Sequence, residues 1–196
     1  MDHIAVSIGI GIVAFASTNI DDLVLLIGFF ADPAYQPRQV VGGQFAGIAA
    51  LVALSLLGAL AAQLVTSEEV GLLGLVPIAI GVKKLAFPDD RRPAGSRLAR
   101  GASRSAGVAL VTIANGGDNL SLYIPLFAAH DGGDVALFVA IFLTMTALWC
   151  AAGYALVSGR PFGIPAERWG AASLPYVLIA LGVYILARTG ALAWLG

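Results

Sequence analysis

Ionised residues are scarce in this chain. Of 196 residues only 12% are charged, and the net charge is −1. Soluble domains of this size carry about 25% charged residues, so the composition excludes an ordinary soluble domain. Cysteine is nearly absent. The single Cys150 excludes an internal disulfide and a Cys-x-x-Cys redox pair. The two histidines, His3 and His130, lie outside every apolar run, which argues against an intramembrane zinc hydrolase. No Gly-x-x-x-x-Gly-Lys stretch occurs, so the chain holds no ATP-driven motor of that type. Basic residues form no stripe outside one short loop, and nothing points to nucleic acid. Nothing in the sequence points to an enzyme or to a resident cofactor.

What the chain has in abundance is apolar length. It is 59% hydrophobic with a mean hydropathy of +0.88. The apolar segments run for about 20 residues or more, the length of a helical membrane span rather than of a barrel strand. The expectation is an all-α integral membrane protein with six transmembrane helices. The spans run from Ile4 to Ala31, Gln39 to Val65, Glu68 to Phe87, Ser105 to Ala129, Asp134 to Val157 and Ala171 to Arg188. Ser67 followed by Glu68 and Glu69 suits a cap on the third. Met1-Asp2-His3 lacks the basic start of a signal peptide, so the first span reads as retained.

Residues 88–104 are the one long polar stretch and divide the chain into halves, 1–87 and 105–196. With this basic linker in the cytoplasm, Arg38, Lys83, Lys84, Arg91, Arg92, Arg97, Arg100, Arg104, Arg160 and Arg168 all fall inside. Only Arg188 falls towards the outside, a strong positive-inside pattern that puts both termini outside. Residues 78–86 of the third span resemble 179–187 of the sixth. In the first and fourth spans, Asp21-Asp22-Leu23 lies over Asp118-Asn119-Leu120. A shift of one residue instead matches Asn19-x-x-Asp22 with Asn115-x-x-Asp118. Both registers have support. A repeat of three spans must insert its two copies in opposite senses, so the chain reads as two inverted three-helix repeats, a transporter architecture with its site at mid-membrane.

The chemistry concentrates in the same two spans. Ser17-Thr18-Asn19-Ile20-Asp21-Asp22 and Asn115-Gly116-Gly117-Asp118-Asn119 bring three carboxylates and three carboxamides to hydrocarbon depth. One Asp there costs roughly 2.5–3.5 kcal/mol on insertion scales, so such residues are kept for a task. Asp21 and Asp22 point about 100° apart on a regular helix and share a site only where the helix is irregular. Gly116-Gly117 permits unwinding in the fourth span. Asn115, Asp118 and Asn119, at i, i+3 and i+4, share a face.

Hard oxygen donors of this kind suit a divalent cation, carried as substrate. The candidate ion-binding residues are Asp21, Asp22, Asp118, Asn19, Asn115, Asn119, Thr18 and Gln44. Gln44 either reaches the site or bonds a neighbouring helix. Carboxylates that release metal can take protons, so a proton relay or proton exchange is compatible with the same cluster. Ser55, Thr144 and Thr146 are expected to bond neighbouring helices. Cys150 reads as a small hydrophobe. His130, Asp131 and Asp134 read as a solvated turn, and His3 as a terminal residue. Pro77, Pro125 and Pro175 can kink their helices or mark helix starts.

These residues carry a resemblance. Thr18-Asn19-Ile20-Asp21-Asp22-Leu23, Gly43-Gln44-Phe45-Ala46-Gly47, the run from Gly71 to Ile78, the run from Ala114 to Phe127, Leu148-Trp149-Cys150 and the run from Leu174 to Gly182 resemble the cadmium resistance transporter (Cad) family, within the lysine-exporter-like superfamily. The resemblance implies a bacterial plasma membrane protein exporting cadmium or related divalent cations. It implies that Asn19, Asp21, Asp22, Asn115, Asp118 and Asn119 line the substrate path. The partners it implies are the lipid bilayer and the metal ion, and a homo-oligomer is compatible with it. The alternative reading is an exporter of a cationic amino acid or other small organic cation, since a carboxylate cluster also holds an ammonium group.

Overall fold

The computed structural model describes residues 2–62, 64, 72–73, 75–86, 103–158, 176 and 179–187. Among the described residues it is all helical. α1 (Asp2–Thr18) and α2 (Ile20–Ala31) are separated by Asn19 alone. α3 (Pro37–Ala62) follows, then α4 (Leu75–Ala86), α5 (Arg104–Asn115), α6 (Gly117–Ala128) and α7 (Gly132–Val157). Residues 179–187 are also helical.

α3 and α7, each of 26 residues, are long and apolar enough to cross a membrane. α1 and α2 add a third span if the pair, bent by 56°, is counted as one. The stretch expected as the first span is therefore broken at Asn19, the irregularity that a shared site for Asp21 and Asp22 requires. The stretch expected as the fourth span is broken at Gly116, which caps α5 at its C-terminus and α6 at its N-terminus. This is where the Gly-Gly step was expected to loosen the helix. The Ser67–Glu69 cap, residues 88–102 of the linker, the loop at 159–169 and Pro175 lie outside the described residues. Of the third and sixth spans, 75–86 and 179–187 are the continuous helical parts described. They contain the two matching stretches.

Lipid tails are as apolar as leucine, so helices in a bilayer associate through close packing and polar bonds rather than through water expulsion. α3 shows both means. A Cβ on Gly43 would lie 2.5 Å from the Ser105 carbonyl oxygen and 2.6 Å from Val108 Cβ. One on Gly47 would lie 2.6 Å from Thr112 Cβ. The two glycines, four residues apart, let α5 lie directly against α3. One turn further on, Leu51 occupies the space that a side chain at Gly116 would need. The sequence Gly43-x-x-x-Gly47-x-x-x-Leu51 thus lies along α5 and reaches Gly116 at the α5–α6 break. Leu54, Leu57 and Leu60 on α3, and Leu148 and Tyr154 on α7, face outwards, as a lipid-facing surface requires.

Below the breaks lies an aromatic core. Tyr123 packs against Phe142 with the rings tilted and their centroids 4.3 Å apart, and Phe15 meets Trp149 edge-on at 5.7 Å. Phe15, Tyr123, Phe138 and Phe142 are all fully buried. Such rings pack rigidly, which holds α1, α6 and α7 in register around the polar residues above them.

Three expectations are corrected here. The Ser55, Thr144 and Thr146 hydroxyls bond the carbonyls of Leu51, Ala140 and Phe142, four residues back on their own helices, and not neighbouring helices. That acceptor is always within reach inside a helix. Asp134 is not solvated: it is buried, accepts from Ser7 Oγ at 2.9 Å and lies 3.7 Å from His3 Nε2. His3 is therefore more than a loose terminal residue. His130 is half-buried, with Nδ1 at 2.8 Å from the Leu126 carbonyl oxygen and the ring stacked near Tyr184. Only Asp131 plays the expected turn role, accepting from the backbone N–H groups of Gly133 and Asp134.

Candidate metal centre

The two helix breaks face each other through polar side chains. α5 has 12 residues before Gly116 and α6 has 12 after it. At 1.5 Å per residue this leaves about 18 Å of helix on either side of the break. Each break creates a helix N-terminus, where unpaired N–H groups carry partial positive charge. Asp21 and Asp22 in the first turn of α2, and Asp118 in that of α6, reverse that sign.

Asp22 is the hub, and it is 3% exposed. Gln44 Nε2 from α3 donates to its Oδ2 at 2.8 Å. Asn115 Nδ2 from α5 donates to its Oδ1 at 3.2 Å. Three elements therefore converge on one carboxylate. Gln44 is itself oriented by Thr112, whose hydroxyl donates to Gln44 Oε1 at 2.7 Å. Asp21 is half-buried, its Oδ1 accepts from the backbone N–H of Asp22, and it lies within Coulombic range of the Asp22 carboxylate. Asp118 is buried and lies within Coulombic range of Asp22.

A second polar group lies beside the first. Asn19 is fully buried, and its Nδ2 lies 2.8 Å from the Phe15 carbonyl oxygen, 2.9 Å from Tyr123 Oη and 3.0 Å from Thr18 Oγ1. Its Oδ1 accepts from Asn119 Nδ2 at 3.2 Å, which joins the two breaks directly. Trp149 Nε1 donates to the Asn19 main-chain carbonyl at 2.7 Å and so ties the first break to α7. Thr18 is folded back onto its own helix through the Ala14 carbonyl and also meets Tyr123 Oη at 3.2 Å. Asn119 Oδ1 is buried and accepts no hydrogen bond among the described residues.

The structure therefore brings together Asp22, Gln44 and Asn115, and beside them Asn19, Asn119, Thr18 and Asp118. Asp21 stands next to Asp22 and is half-buried. Among the described residues no three of His, Cys, Asp and Glu are grouped to hold a metal. Any cation here would draw on carboxamide oxygens to complete two carboxylates. Cys150 packs with Leu26 and Val40 in a separate apolar cluster. Thr112, Tyr123 and Trp149 are functional neighbours that the sequence does not mark, although Tyr123 and Trp149 lie in the stretches that carry the resemblance and Thr112 lies in the fourth span. Their signal was position within a polar run or beside it, and nothing in residue type gave their partners.

Comparison with curated proteins and with solved structures returns no match. The family model described as cadmium resistance transporter matches residues 15–195, nearly the whole chain. That span includes both helix breaks and every residue of the site just described, and the chain belongs to the cadmium resistance transporter (Cad) family.

Proposed function

We propose that this protein is a secondary transporter that exports divalent cations from the bacterial cytoplasm, with the ion held between the two helix breaks. The observation that carries the reading is the pairing of buried Asp22 and Asp118 with Asn119 Oδ1, a buried oxygen that accepts no hydrogen bond among the described residues. Two carboxylates neutralise a 2+ ion, where an unpaired charge in low dielectric is untenable. The Gln44 and Asn115 amide groups stand on Asp22 where a cation would otherwise sit, and they satisfy the carboxylate while it is empty. Protons on the same carboxylates are the natural exchange partner. The family membership supports transport and a cadmium-type substrate.

In this reading the chain has six spans in two inverted repeats, joined by a cytoplasmic linker, with both termini outside. Several features support it. Asp21 and Asp118 are each the second residue of the half-helix after a break, and Asp22 and Asn119 are each the third. This favours the register that lays Asp21-Asp22 over Asp118-Asn119. α3 and α7 have equal lengths of 26 residues. The test is Cd²⁺ uptake into inverted vesicles or proteoliposomes, with lysine as competitor. Uptake abolished by Asp118→Asn in correctly folded protein is the expected result. Unchanged uptake removes the site, and lysine competing with Cd²⁺ favours the organic-cation reading instead.

A further inference from the structure

Seen from the sequence, Asn19 and Asn119 are equal candidates to hold the ion. Their hydrogen bonds make them unequal. The Phe15 carbonyl oxygen can only accept, so the Asn19 atom 2.8 Å from it is the Nδ2 amide. Asn19 Oδ1 then faces Asn119, so the Asn119 atom at 3.2 Å must be its Nδ2 donor. That leaves Asn119 Oδ1 as the oxygen turned away, buried and accepting no hydrogen bond among the described residues. Tyr123 completes the chain. The Thr18 hydroxyl gives its proton to the Ala14 carbonyl at 3.0 Å. The Tyr123 proton therefore goes to Thr18 Oγ1, 3.2 Å away, and a Tyr123 lone pair accepts from Asn19 Nδ2 at 2.9 Å. Two main-chain carbonyls in the last turn of α1 thus set the polarity of every amide up to Asn119.

Resting on the divalent-cation reading above, we propose that Asn19 and Tyr123 are positioning residues that aim Asn119 Oδ1 at the ion, and that Asn19 is not itself a ligand. Asn19 has its main-chain carbonyl occupied by Trp149, its Nδ2 by Phe15 and Tyr123, and its Oδ1 by Asn119. Its work is to stop the Asn119 amide from turning over. An overturned Asn119 presents an N–H group, which repels a cation.

The test turns on a substitution whose sign differs between the two roles. Asn19→Asp keeps the shape and adds a carboxylate oxygen, so a ligand role leaves Cd²⁺ affinity equal or tighter. A positioning role predicts the reverse, because a carboxylate has no hydrogen for the Phe15 carbonyl or Tyr123. The measurement is the initial rate of Cd²⁺ uptake into proteoliposomes at equal amounts of monodisperse protein. For Asn19→Asp the expected KM is higher by roughly 10-fold or more, the scale of outer-shell losses at metal sites. Tyr123→Phe removes one of the acceptors that hold Asn19, and its loss of roughly 3- to 10-fold falls in KM rather than in Vmax. An Asn19→Asp KM at or below that of the unsubstituted protein overturns the proposal. Should Asn19→Asp not assemble, Tyr123→Phe decides: an unchanged KM, or a loss confined to Vmax, also overturns it. Unsubstituted protein that carries no Cd²⁺, Mn²⁺ or Ca²⁺ overturns the cation reading and this inference together, which separates the two failures.

Discussion

Gln44 Nε2 meets Asp22 Oδ2 at 2.8 Å, a bond that ties α3 to the half-helix after the first break. Asn115 Nδ2 occupies the other oxygen of the same carboxylate. Asp22 is thus held by two donors and offers each of them an acceptor. Asp22→Asn replaces one acceptor with an amide that faces a donor. A buried donor left unpaired costs about 1–3 kcal/mol, and the charge needed for a cation is lost as well. The expected result is Cd²⁺ uptake reduced by roughly 10-fold or more in kcat/KM, with a lowered melting temperature. Asp21→Asn, at a half-buried residue bonded to backbone, is expected to reduce uptake several-fold less. Equal losses from the two would undo the ranking of Asp22 over Asp21.

Thr112 gives a second prediction. Its hydroxyl is the donor that the structure shows on Gln44 Oε1. Thr112→Val keeps the shape and removes the hydrogen bond, leaving a buried acceptor unpaired at a cost of about 1–3 kcal/mol. Thr112→Ser keeps the hydroxyl and is expected to restore most of the melting temperature and the Cd²⁺ flux. If Val and Ser at this position behave alike, the Thr112–Gln44 bond contributes nothing to the site.

The glycines of α3 give a third. Gly43→Ala places a Cβ 2.5 Å from the Ser105 carbonyl oxygen, and main chain cannot step aside as a flexible side chain can. Overpacking of this kind costs about 1–3 kcal/mol. Gly42→Ala, next along the chain, meets nothing within 4 Å. Thermal melts of the two in detergent are expected to show a clear loss for Gly43→Ala, and little change or a slight gain for Gly42→Ala through helix propensity.

How far the sequence reveals this arrangement depends on what kind of signal each residue carries. Gly116-Gly117 announces a weak point in a helix by composition, and the break is found there. Asn19 announces nothing of the sort. Its break is stabilised from outside, by Tyr123 and Trp149, which a local reading of spans cannot see. Asp22 and Asp118 stand out because ionised groups are costly in lipid. Thr112 and Ser55 do not stand out, because a hydroxyl in a helix has a carbonyl four residues back to fall on. Ser55 takes that bond and Thr112 takes Gln44, and only the packing of Gly47 against Thr112 distinguishes them. Asp134 reads as a turn residue because it sits beside His130-Asp131-Gly132-Gly133. Its buried partner is Ser7, on a helix more than a hundred residues away in the chain.

Cys150 carries the last prediction, since it bears on which ion fits. Cadmium favours sulfur, while manganese and calcium favour oxygen. The only thiol in the chain belongs to Cys150, which packs against Leu26 and Val40 in an apolar cluster. In the proposed site the donors are the oxygens of Asp22, Asp118 and Asn119. A thiolate ligand would contribute strongly to Cd²⁺ and little to Mn²⁺, so losing it would change the ratio of the two. Cys150→Ala is therefore expected to keep Cd²⁺ flux within about two-fold and to leave the Cd²⁺ to Mn²⁺ ratio where it was. Its own cost is a small cavity beside Leu26, visible as a modest drop in melting temperature. A fall of roughly 10-fold in Cd²⁺ flux with Mn²⁺ flux preserved would instead place sulfur in the coordination sphere. The site would then be a mixed one, closing on the ion from α7 as well as from the two breaks.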